Sequence, residues 1–519
     1  MIPTLAARWR QAVASNPAGT FLVWEGPDGS THTWTYAEFD DLVARVAGGL
    51  VARGVEAGSA VHLALTNSPT FVAVWLAAAN LGAWIVPSDP SATSRELAGH
   101  LERTRPVVGL CGATRAEAYQ WAVRDLEHPP VVEVIDEADT ALAGLAGAPV
   151  RWADRPAPGP RDRAAVMFTS GTTSAPKGVE ITQANYAFAG DVMAAAAQLG
   201  MEDRQLVVLP LFHANAQYYS FASAISVGAS VALMHTFSAS GFLAQAARHQ
   251  ATHASLFAAP IRMILARGAT PVEGLRLRHC WYAQNLTEDQ YEQISSLLGC
   301  RPRQLYGMTE TIPAVLTCRQ LDAAPDVMGI QTLGCEVDVW TSDGQPAGPD
   351  EVGEVVVRGE PGITLFAGYL DDPGTTAASF RDGWFRTGDL ASRDAEGRFR
   401  FAGRRSDVLK VAGENVSVVE VEAVIADHPS VLEVAVTGEP DPVRDEVPVA
   451  FVVQHPERPP VSVDELRAWC EERLAKSKRP HRFELVDELP RTSVGKIRKF
   501  LLTASTSGSP DQPKEKQHG

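Results

Sequence analysis

The chain has 519 residues, of which 45% are hydrophobic and 21% are charged, and its formal net charge is -16 at pH 7. A single core rarely grows beyond about 250–300 residues, so we expect more than one domain. The acidic balance argues against nucleic acid or an anionic membrane surface as the main partner.

The cysteines and the N-terminal segment give no sign of export or membrane insertion. The six cysteines are scattered without a C-x-x-C pair, which suggests neither a zinc site nor a disulfide framework. The opening MIPTLAARWRQAV has no apolar stretch of signal-peptide type, and no uninterrupted apolar run is long enough to span a bilayer. We therefore expect a cytoplasmic protein that does not bind membranes.

The first part of the chain alternates helical and strand-like patterns. Thr35 and Glu38 form a capping-box pattern ahead of a helical apolar period. The periodicity predicts, in order, a helix over residues 35–54, a strand over 61–65, a helix over 71–79 and a strand over 83–86. This alternation predicts a mainly parallel sheet covered on both faces.

A connection rich in Ala, Pro, Gly and Arg leads to the segment MFTSGTTSAPKGV, residues 167–179. Its apolar lead, residues 164–168, is typical of a buried strand. Hydroxyls, exposed backbone N–H groups and a lysine are the groups that a polyphosphate needs. The candidate phosphate-binding residues are Thr169, Ser170, Gly171, Thr172, Thr173 and Lys177. The segment is not a common P-loop, in which lysine directly follows the second glycine. A Ser/Thr-rich surface turn is the alternative.

The later part of the chain changes character twice. A second αβ region spans residues 186–299, and short alternating runs beyond residue 332 predict a small antiparallel or barrel-like β subdomain. Residues 403–422 are typical of a hinge and the start of a separate α+β unit. That unit is expected to contain strands near 431–436 and 449–453 and a helix near 463–474. The polar residues 505–519 are expected to be disordered.

Three further segments carry candidate chemistry. Glu310, between Thr309 and Thr311 in YGMTET, has the oxygen chemistry of an Mg²⁺ ligand, although a lone glutamate is commonly a solvated surface residue. Asp389, in GWFRTGDL, can accept both hydroxyls of a ribose, although such an aspartate is commonly a turn residue. Lys496 lies in the basic segment PRTSVGKIRK, for which a solvated charge run is the alternative.

These motifs, in this order, resemble the adenylate-forming superfamily of acyl-CoA synthetases, peptide-synthetase adenylation domains and luciferases. The resemblance covers roughly residues 24–499. It implies an α/β fold: a large N-terminal domain of two αβ subdomains plus a small β-barrel-like subdomain, and a small mobile α+β C-terminal domain. On this chain the domains would be residues 1–405 for AMP binding and 406–504 for the catalytic lysine, followed by the tail 505–519.

The resemblance also implies roles for individual residues. Lys496 would bridge the substrate carboxylate and the α-phosphate as charge builds there. Glu310 would bind Mg²⁺, and Thr309 would contact a nucleotide phosphate. Asp389 would bind the ribose of ATP, and Arg404 would add a second contact, to the ribose or to a phosphate.

Adenine contacts are implied for two segments. Tyr306 would stack near the base, with Gly307 and Met308 beside it. Gln284 lies in WYAQNLT, where the family usually has a glycine-rich segment. This chain has Tyr282 there instead.

The family alternates two orientations of the small domain about a hinge, which falls here at Ser406. Rotation would withdraw the catalytic lysine and bring the loop with Gly413 and Glu414 toward a thiol tunnel. His213, in LPLFHA, matches a position that gates this tunnel. An ordinary packed histidine is the alternative.

The implied activity is that of an ATP-dependent carboxylate–CoA ligase that uses ATP, Mg²⁺ and coenzyme A. The acid would become an acyl-AMP with release of pyrophosphate, and the acyl group would pass to the CoA thiol with release of AMP. The segment from Leu209 looks closest to the crotonobetaine/carnitine-CoA ligase-like branch. It has no acidic residue before Leu233, whereas amino-acid-activating relatives place an aspartate there. Small residues in the implied acyl pocket favour a bulky or extended apolar acid.

Other functions remain open at this point. An acyl-AMP ligase could load a carrier-protein thiol instead of CoA, or the chain could be a catalytically inactive nucleotide-binding protein. A dinucleotide oxidoreductase is not favoured, because no two glycines are spaced i, i+2 and the GxGxxG fingerprint is absent. The sequence leaves the oligomeric state open between monomer and homodimer.

Overall fold

A computed structural model describes residues 2–169, 176–319, 324–404, 408–411, 414–442, 444–456, 458–491 and 497–504. These residues divide into two compact units. The first unit comprises 2–351, 355–387 and 392–400, and the second comprises 352–354, 388–391 and 401–504. Within the described ranges, no helix has the length and apolar character needed to cross a membrane.

The first predicted helix forms as its capping box requires. Thr35 is the N-cap: its N–H donates to Glu38 Oε2 at 2.8 Å, and the Glu38 N–H donates to Thr35 Oγ1 at 3.2 Å. The helices of the first unit are α1 (Leu5–Ser15), α2 (Tyr36–Ala52), α3 (Pro69–Leu81), α4 (Ser94–Thr104), α5 (Ala116–Val123), α6 (Gln183–Ala197), α7 (Ser223–Val227), α8 (Phe242–Arg248), α9 (Ala258–Ala266), α10 (Glu288–Leu298) and α11 (Pro373–Ala378).

Short helices of other types also occur. In the described part of the first unit, 3₁₀ helices span Ala113–Arg115, Trp152–Asp154 and Thr309–Thr311, and a π-helix spans Asn215–Ala222. The last two lie beside predicted site residues, and π-helices frequently occur at functional sites.

The strands up to residue 404 alternate with these helices and then follow one another directly. They are β1 (Thr20–Glu25), β2 (Thr31–Thr35), β3 (Ala60–Ala64), β4 (Trp84–Pro87), β5 (Val108–Gly112), β6 (Val131–Ile135), β7 (Arg163–Thr169), β8 (Lys177–Thr182), β9 (Arg204–Val207), β10 (Ser230–Met234), β11 (His253–Phe257), β12 (His279–Ala283), β13 (Arg303–Tyr306), β14 (Leu316–Thr317), β15 (Val327–Gln331), β16 (Glu336–Trp340), β17 (Gly353–Arg358), β18 (Gly368–Tyr369), β19 (Phe380–Arg381), β20 (Trp384–Arg393) and β21 (Phe399–Arg404).

One sheet of the first unit has the order β18-β8-β7-β4-β3-β5-β6. The pairs from β7 through β6 along this order are parallel, as the sequence pattern predicts. β7 and β8 are antiparallel, and the segment that joins them is the predicted phosphate-binding segment. β18 pairs antiparallel with β8, so a distant piece of chain lies beside this hairpin.

The other sheet runs through β2-β1-β10-β9-β11-β12-β13-β14-β15. The pairs from β1 to β13 are parallel, whereas β13–β14, β14–β15, β15–β21 and β19–β20 are antiparallel. The predicted change from αβ to antiparallel structure is therefore confirmed. β12 and β13 are parallel neighbours, so the segments that follow them, starting at Gln284 and Gly307, leave the same edge of the sheet. Ligands of open α/β sheets bind at this edge.

The second unit is a small α+β structure. Its elements beyond residue 404 are β22 (Val408–Val411), β23 (Glu414–Ser417), α12 (Val418–Ala426), β24 (Val431–Asp441), β25 (Asp445–Gln454), α13 (Val463–Arg473), a 3₁₀ helix (Lys476–Lys478), β26 (Arg482–Leu485) and α14 (Lys499–Ala504). The sheet order is β23-β22-β25-β24, with β26 beside β25. Buried residues of α12 and α13, such as Val421 and Leu466, pack with Val436 and Val452 of the sheet. The predicted strands and helix of this unit are confirmed.

A buried chain of hydrogen bonds connects β3 and the end of β4 with the helices α4 and α5 that pack on the first sheet. The Tyr119 hydroxyl lies 2.8 Å from His62 Nδ1, and His62 Nε2 lies 2.9 Å from Ser88 Oγ. The same serine oxygen lies 2.8 Å from His100 Nδ1. Burial lowers the pKa of His62 to about 3 and that of His100 to about 4. Both imidazoles are therefore neutral at pH 7.

These two histidines predict an acid-sensitive stability. In the unfolded chain they take up protons below about pH 6.5, whereas in the folded chain they stay neutral to about pH 4. Stability is complete above pH 6.5 and falls as the pH is lowered. From pH 7.5 to 5.5, urea denaturation should show a loss of about 1 kcal/mol for each histidine. A His100→Gln variant should lose about that much less over this interval, and an unchanged pH difference would contradict the assignment.

Candidate active site

The hairpin of β7 and β8 presents both ends of the predicted phosphate-binding segment. Thr169 ends β7 and pairs with Lys177, which begins β8. The strand predicted over residues 164–168 is thus confirmed. The other four predicted residues, Ser170, Gly171, Thr172 and Thr173, lie outside the described residues.

One aromatic ring connects Lys177 with Glu310. The Lys177 Nζ lies 4.8 Å from the centroid of the Tyr369 ring, a cation–π distance. The Tyr369 hydroxyl donates a hydrogen bond to Glu310 Oε1 at 3.1 Å. Burial raises the pKa of Tyr369, so its hydroxyl keeps the proton that it donates. A positive charge and a carboxylate are thereby held by a single side chain.

Tyr369 reaches this position through β18. This two-residue strand pairs with β8, which places Tyr369 opposite Val179. The N–H of Leu370 also donates to the carbonyl oxygen of Gly178 at 2.8 Å. Sequence analysis missed Tyr369, because a two-residue strand has no periodicity. The only local signal is an aromatic residue in the short GYL sequence.

Glu310 is buried, with 4% of its surface exposed, so it is not a solvated surface residue. It lies in the 3₁₀ helix Thr309–Thr311, and its carbonyl oxygen accepts the Phe366 N–H at 3.0 Å. The Met308 N–H donates to Thr311 Oγ1 at 3.0 Å, which closes the turn that contains Glu310. Ile312 follows with φ 72°, a costly conformation for a β-branched residue. Such strain tends to occur at functional sites, where the surrounding structure imposes it.

The residues before Glu310 form a crowded turn. Tyr306 ends β13 and is largely buried. A Cβ on Gly307 would lie 2.9 Å from the carbonyl oxygen of Pro313 and 3.0 Å from the Tyr219 hydroxyl. Only glycine fits this position without displacing its neighbours. Met308 then leads into the 3₁₀ helix.

Gln284, predicted to contact adenine, follows β12 in a left-handed conformation with φ 74°. Gln304, a buried residue of β13, holds this turn: its Nε2 donates to the Gln284 carbonyl oxygen and to Asn285 Oδ1, each at 3.0 Å. Two predicted nucleotide-binding segments are therefore connected through the neighbouring strands β12 and β13.

His213 lies just before the π-helix Asn215–Ala222. It is partly buried, and its ring centroid lies 4.4 Å from that of Phe212. Buried Asn67 holds the preceding segment, since its Nδ2 donates to the Leu209 carbonyl at 3.1 Å and its Oδ1 accepts the Leu211 N–H at 2.8 Å. The π-helix also carries Tyr219, whose hydroxyl lies against Gly307. His213 therefore lies two residues before an element that packs on the YGMTET turn.

The second unit holds the predicted ribose-binding pair. Asp389 is 4% exposed, and Arg404 Nε lies 2.9 Å from its Oδ1. The two residues come from β20 and β21, so the predicted partners are adjacent. Lys496, Ser406 and Gly413 lie outside the described residues, and Glu414 begins β23.

A metal at Glu310 would have few protein ligands close by. No group of three or more His, Cys, Asp or Glu side chains able to hold a metal occurs among the described residues. A metal at Glu310 would therefore need other ligands, as Mg²⁺ has when phosphate oxygens and water complete its shell.

Known protein families match both parts of the chain. The family model for AMP-binding enzymes matches residues 9–370, and that for the C-terminal domain of AMP-binding enzymes matches residues 420–496. The chain is 33% identical over 490 residues to the crotonobetaine/carnitine–CoA ligase of Shigella flexneri, covering 92% of this chain and 94% of the ligase.

Solved structures agree as well. ATP-bound MatB from Rhodopseudomonas palustris has a TM-score of 0.86 at 25% identity, over 97% of this chain and 99% of that one. The o-succinylbenzoate CoA synthetase MenE from Bacillus subtilis, solved with the acyl-adenylate intermediate OSB-AMP, has a TM-score of 0.81 at 28% identity, over 99% of each chain. The resemblance inferred from the motifs is thus confirmed. The chain belongs to the AMP-binding enzyme family and is an AMP-forming acyl-CoA synthetase, a ligase that joins a carboxylic acid to CoA through an acyl-AMP.

Proposed function

We propose that the Lys177–Tyr369–Glu310 cluster is the phosphate end of the adenylation site. The observation that carries this proposal is the single ring that holds a lysine over its face and a buried carboxylate at its hydroxyl. The triphosphate of ATP would lie beside Lys177, with Thr169, Ser170, Gly171, Thr172 and Thr173 as hydroxyl and N–H donors. In a chain of net charge -16, such local positive charge is what an anionic substrate requires.

Glu310 fits Mg²⁺ of the kind that accompanies ATP. One buried carboxylate beside a lysine suits an ion whose other ligands are phosphate oxygens and water. When bound, Mg²⁺ would supply charge neutralisation on the phosphates. Thr309 would hold a phosphate oxygen, and Glu310 would keep its carboxylate oriented through Tyr369.

Removing the hydroxyl of Tyr369 should weaken ATP use without dismantling the site. Tyr369→Phe keeps the aromatic ring beside Lys177 but loses the hydrogen bond to Glu310, worth about 1 kcal/mol. We expect kcat/KM for ATP to fall roughly fivefold, with KM for the acid unchanged. Steady-state kinetics test this, and an equal fall in both specificity constants would contradict a role confined to the nucleotide.

The remaining nucleotide contacts divide between two groups of residues. Gln284, Tyr306, Gly307 and Met308 would form the adenine side, on turns fixed by Gln304 and by the close packing at Gly307. Asp389 would accept the ribose hydroxyls, and Arg404 would keep that carboxylate oriented.

In the first half-reaction an oxygen of the acid attacks the α-phosphorus of ATP, and the bond to the pyrophosphate leaving group breaks. Holding the two reactants in line can supply about 7–11 kcal/mol in favourable cases. Lys496 would place its ammonium between the carboxylate and the α-phosphate, where negative charge builds in the transition state.

In the second half-reaction the CoA thiol attacks the acyl carbon, and AMP leaves with the former carboxylate oxygen. We propose that the C-terminal domain turns about Ser406 between the two steps, within boundaries at residues 1–405 and 406–504. The turn would exchange Lys496 for the loop with Gly413 and Glu414, and His213 would gate the thiol's path.

We further propose a bulky or extended apolar acid as substrate. The segments implied to line the acyl pocket carry small residues, among them Ala216, Ala258, Ala259 and Ala314, which are buried. The enzyme is expected in the reducing cytoplasm, where its six cysteines stay free thiols.

Acid-dependent ATP–pyrophosphate exchange across a panel of acids tests this function, with AMP release followed with and without CoA. We expect exchange with large apolar acids, and faster AMP release when CoA is present. Preference for acetate would contradict the proposed substrate class. Exchange without a CoA effect would favour carrier-protein loading, and no exchange with any acid would favour an inactive nucleotide-binding protein.

A further inference from the structure

Arg103, on helix α4, contacts both ends of the phosphate-binding segment. Its Nη1 donates to the carbonyl oxygen of Pro176 at 2.6 Å, just before β8. Its guanidinium carbon lies 5.0 Å from the ring centroid of Phe168, the penultimate residue of β7. One side chain thus joins two residues of the segment, one near each of its ends.

The same guanidinium also reaches the strand that carries Tyr369. Its Nη2 lies 3.4 Å from the carbonyl oxygen of Leu370, the residue after Tyr369. This bond is longer than the one to Pro176, so it is the weaker of the two. Arg103 therefore connects three pieces of chain: the end of β7, the start of β8 and the end of β18.

Helix α4 is itself firmly held at this point. His100 lies one turn before Arg103 and stacks on Phe168, the aromatic partner of the arginine. The two ring centroids are 4.0 Å apart, with an interplanar angle of 6°. His100 is bonded in turn to Ser88, in the buried chain that ends at Tyr119. The helix begins at a capping box of Thr93 and Glu96. A rigid support of this kind is what a precisely positioned loop needs.

The hydrogen-bond partners of Arg103 are main-chain groups. A surface ion pair between an arginine and a carboxylate contributes little and fixes no backbone position. Arg103 instead donates to main-chain carbonyls on two segments that are far apart in sequence. Hydrogen bonds from a charged donor are stronger than those between neutral groups. The planar guanidinium group also fixes the direction of its hydrogen bonds as well as their length.

We propose that Arg103 is a positioning residue for ATP: it holds both ends of the phosphate-binding segment, and the strand of Tyr369, in the arrangement that receives the triphosphate. The inference rests on the proposed function of that segment. Arg103 acts through Phe168, Pro176 and Leu370, and contacts no reacting atom itself.

The test compares three variants of the full-length enzyme. Arg103→Met keeps a long stem on Phe168 but removes every donor. Arg103→Lys restores the charge and a donor without the fork. Arg95→Met is the matched control, because Arg95 is exposed on the same helix. Equilibrium binding of MgATP is measured by calorimetry, KM for ATP and for the acid by initial rates, and folding by urea denaturation.

We expect Arg103→Met to raise the Kd of MgATP about tenfold, with KM for the acid within twofold of wild type. Arg103→Lys should fall between Arg103→Met and wild type, and Arg95→Met should match wild type. If Arg103→Met does not fold, Arg103→Lys serves as the test, and we expect its Kd for MgATP to rise about threefold.

Two results would overturn the inference. One is a Kd for MgATP within twofold of wild type in folded Arg103→Met, or in Arg103→Lys if Met does not fold. The other is a fall in kcat with both KM values unchanged, which indicates loss of folded enzyme only. Absence of MgATP binding by the wild-type enzyme is a different result, since it would refute the proposed function of the segment.

Discussion

Replacing Lys496 with alanine should abolish acid-dependent ATP–pyrophosphate exchange while leaving the transfer of a supplied acyl-AMP to CoA intact. The lysine is assigned to the first transition state, where charge builds on the α-phosphate and the attacking carboxylate. Removing one preorganised group of this kind costs about 10²–10³ in rate. The second half-reaction develops no such charge at phosphorus, so it should be within a few fold of wild type.

Lys499→Ala is the matched control for this variant. It removes a positive charge from the same basic segment, but Lys499 Nζ pairs with Glu422 Oε1 at 2.8 Å in the second unit. Both half-reactions should then survive. If Lys496→Ala slows both half-reactions equally, the assignment of this lysine to adenylation alone is wrong. If both lysine variants keep wild-type rates in both half-reactions, the basic segment is only a solvated run of charges.

Replacing Glu310 with glutamine should raise the Mg²⁺ requirement. Glutamine keeps the volume and an oxygen that can accept the Tyr369 hydroxyl, so the change removes little besides the negative charge. We expect the half-maximal Mg²⁺ concentration to rise roughly tenfold and kcat/KM for ATP to fall about 10–100-fold. Titration of initial rates with Mg²⁺ at fixed ATP measures both.

Another buried glutamate serves as the control. Glu25 accepts bonds from His249 Nε2 at 2.6 Å and Arg248 Nη1 at 2.8 Å, far from the predicted nucleotide-binding motifs in sequence. Glu25→Gln should lower stability, because it leaves a buried arrangement of charges incomplete, yet keep the wild-type Mg²⁺ dependence. A Glu310→Gln enzyme with unchanged Mg²⁺ dependence would mean that another group holds the ion.

Local signals account for what could be predicted from the sequence. Helix α2 has a capping box and a clear apolar period, and it begins where Thr35 predicts. The phosphate-binding segment follows a continuous apolar run, and that run is β7. Burial of Glu310 is the less obvious outcome, because a lone glutamate is commonly exposed. The flanking hydroxyls of Thr309 and Thr311 indicate a functional role for it, and the order of the motifs strengthens that interpretation.

Other parts of the site depend on pairings that a single sequence does not encode. Tyr369 meets Lys177 only because β18 pairs with β8, across nearly 200 residues of intervening chain. Arg103 meets Pro176 through the packing of a helix on a hairpin. The sequence analysis predicts no helix at α4. The contact between α4 and the phosphate-binding segment arises only from tertiary packing.

Backbone conformation was equally hidden in the sequence. Gln284 and Ile312 adopt positive φ values, although neither residue type favours them. The π-helix Asn215–Ala222 has no sequence signature distinct from an ordinary helix. Each of these unusual conformations lies at or near a predicted site residue. Local conformational preference is expected to yield there to the requirements of a ligand.

The most direct test of the account follows one oxygen atom. The enzyme is given an accepted acid labelled with ¹⁸O in its carboxylate, together with ATP, Mg²⁺ and CoA, and the products are analysed by mass spectrometry. Because the carboxylate oxygen bonds to the α-phosphorus and stays there when the thiol attacks the acyl carbon, we predict one ¹⁸O in AMP and none in pyrophosphate. Unlabelled AMP, or label in inorganic phosphate, would contradict activation through an acyl-AMP.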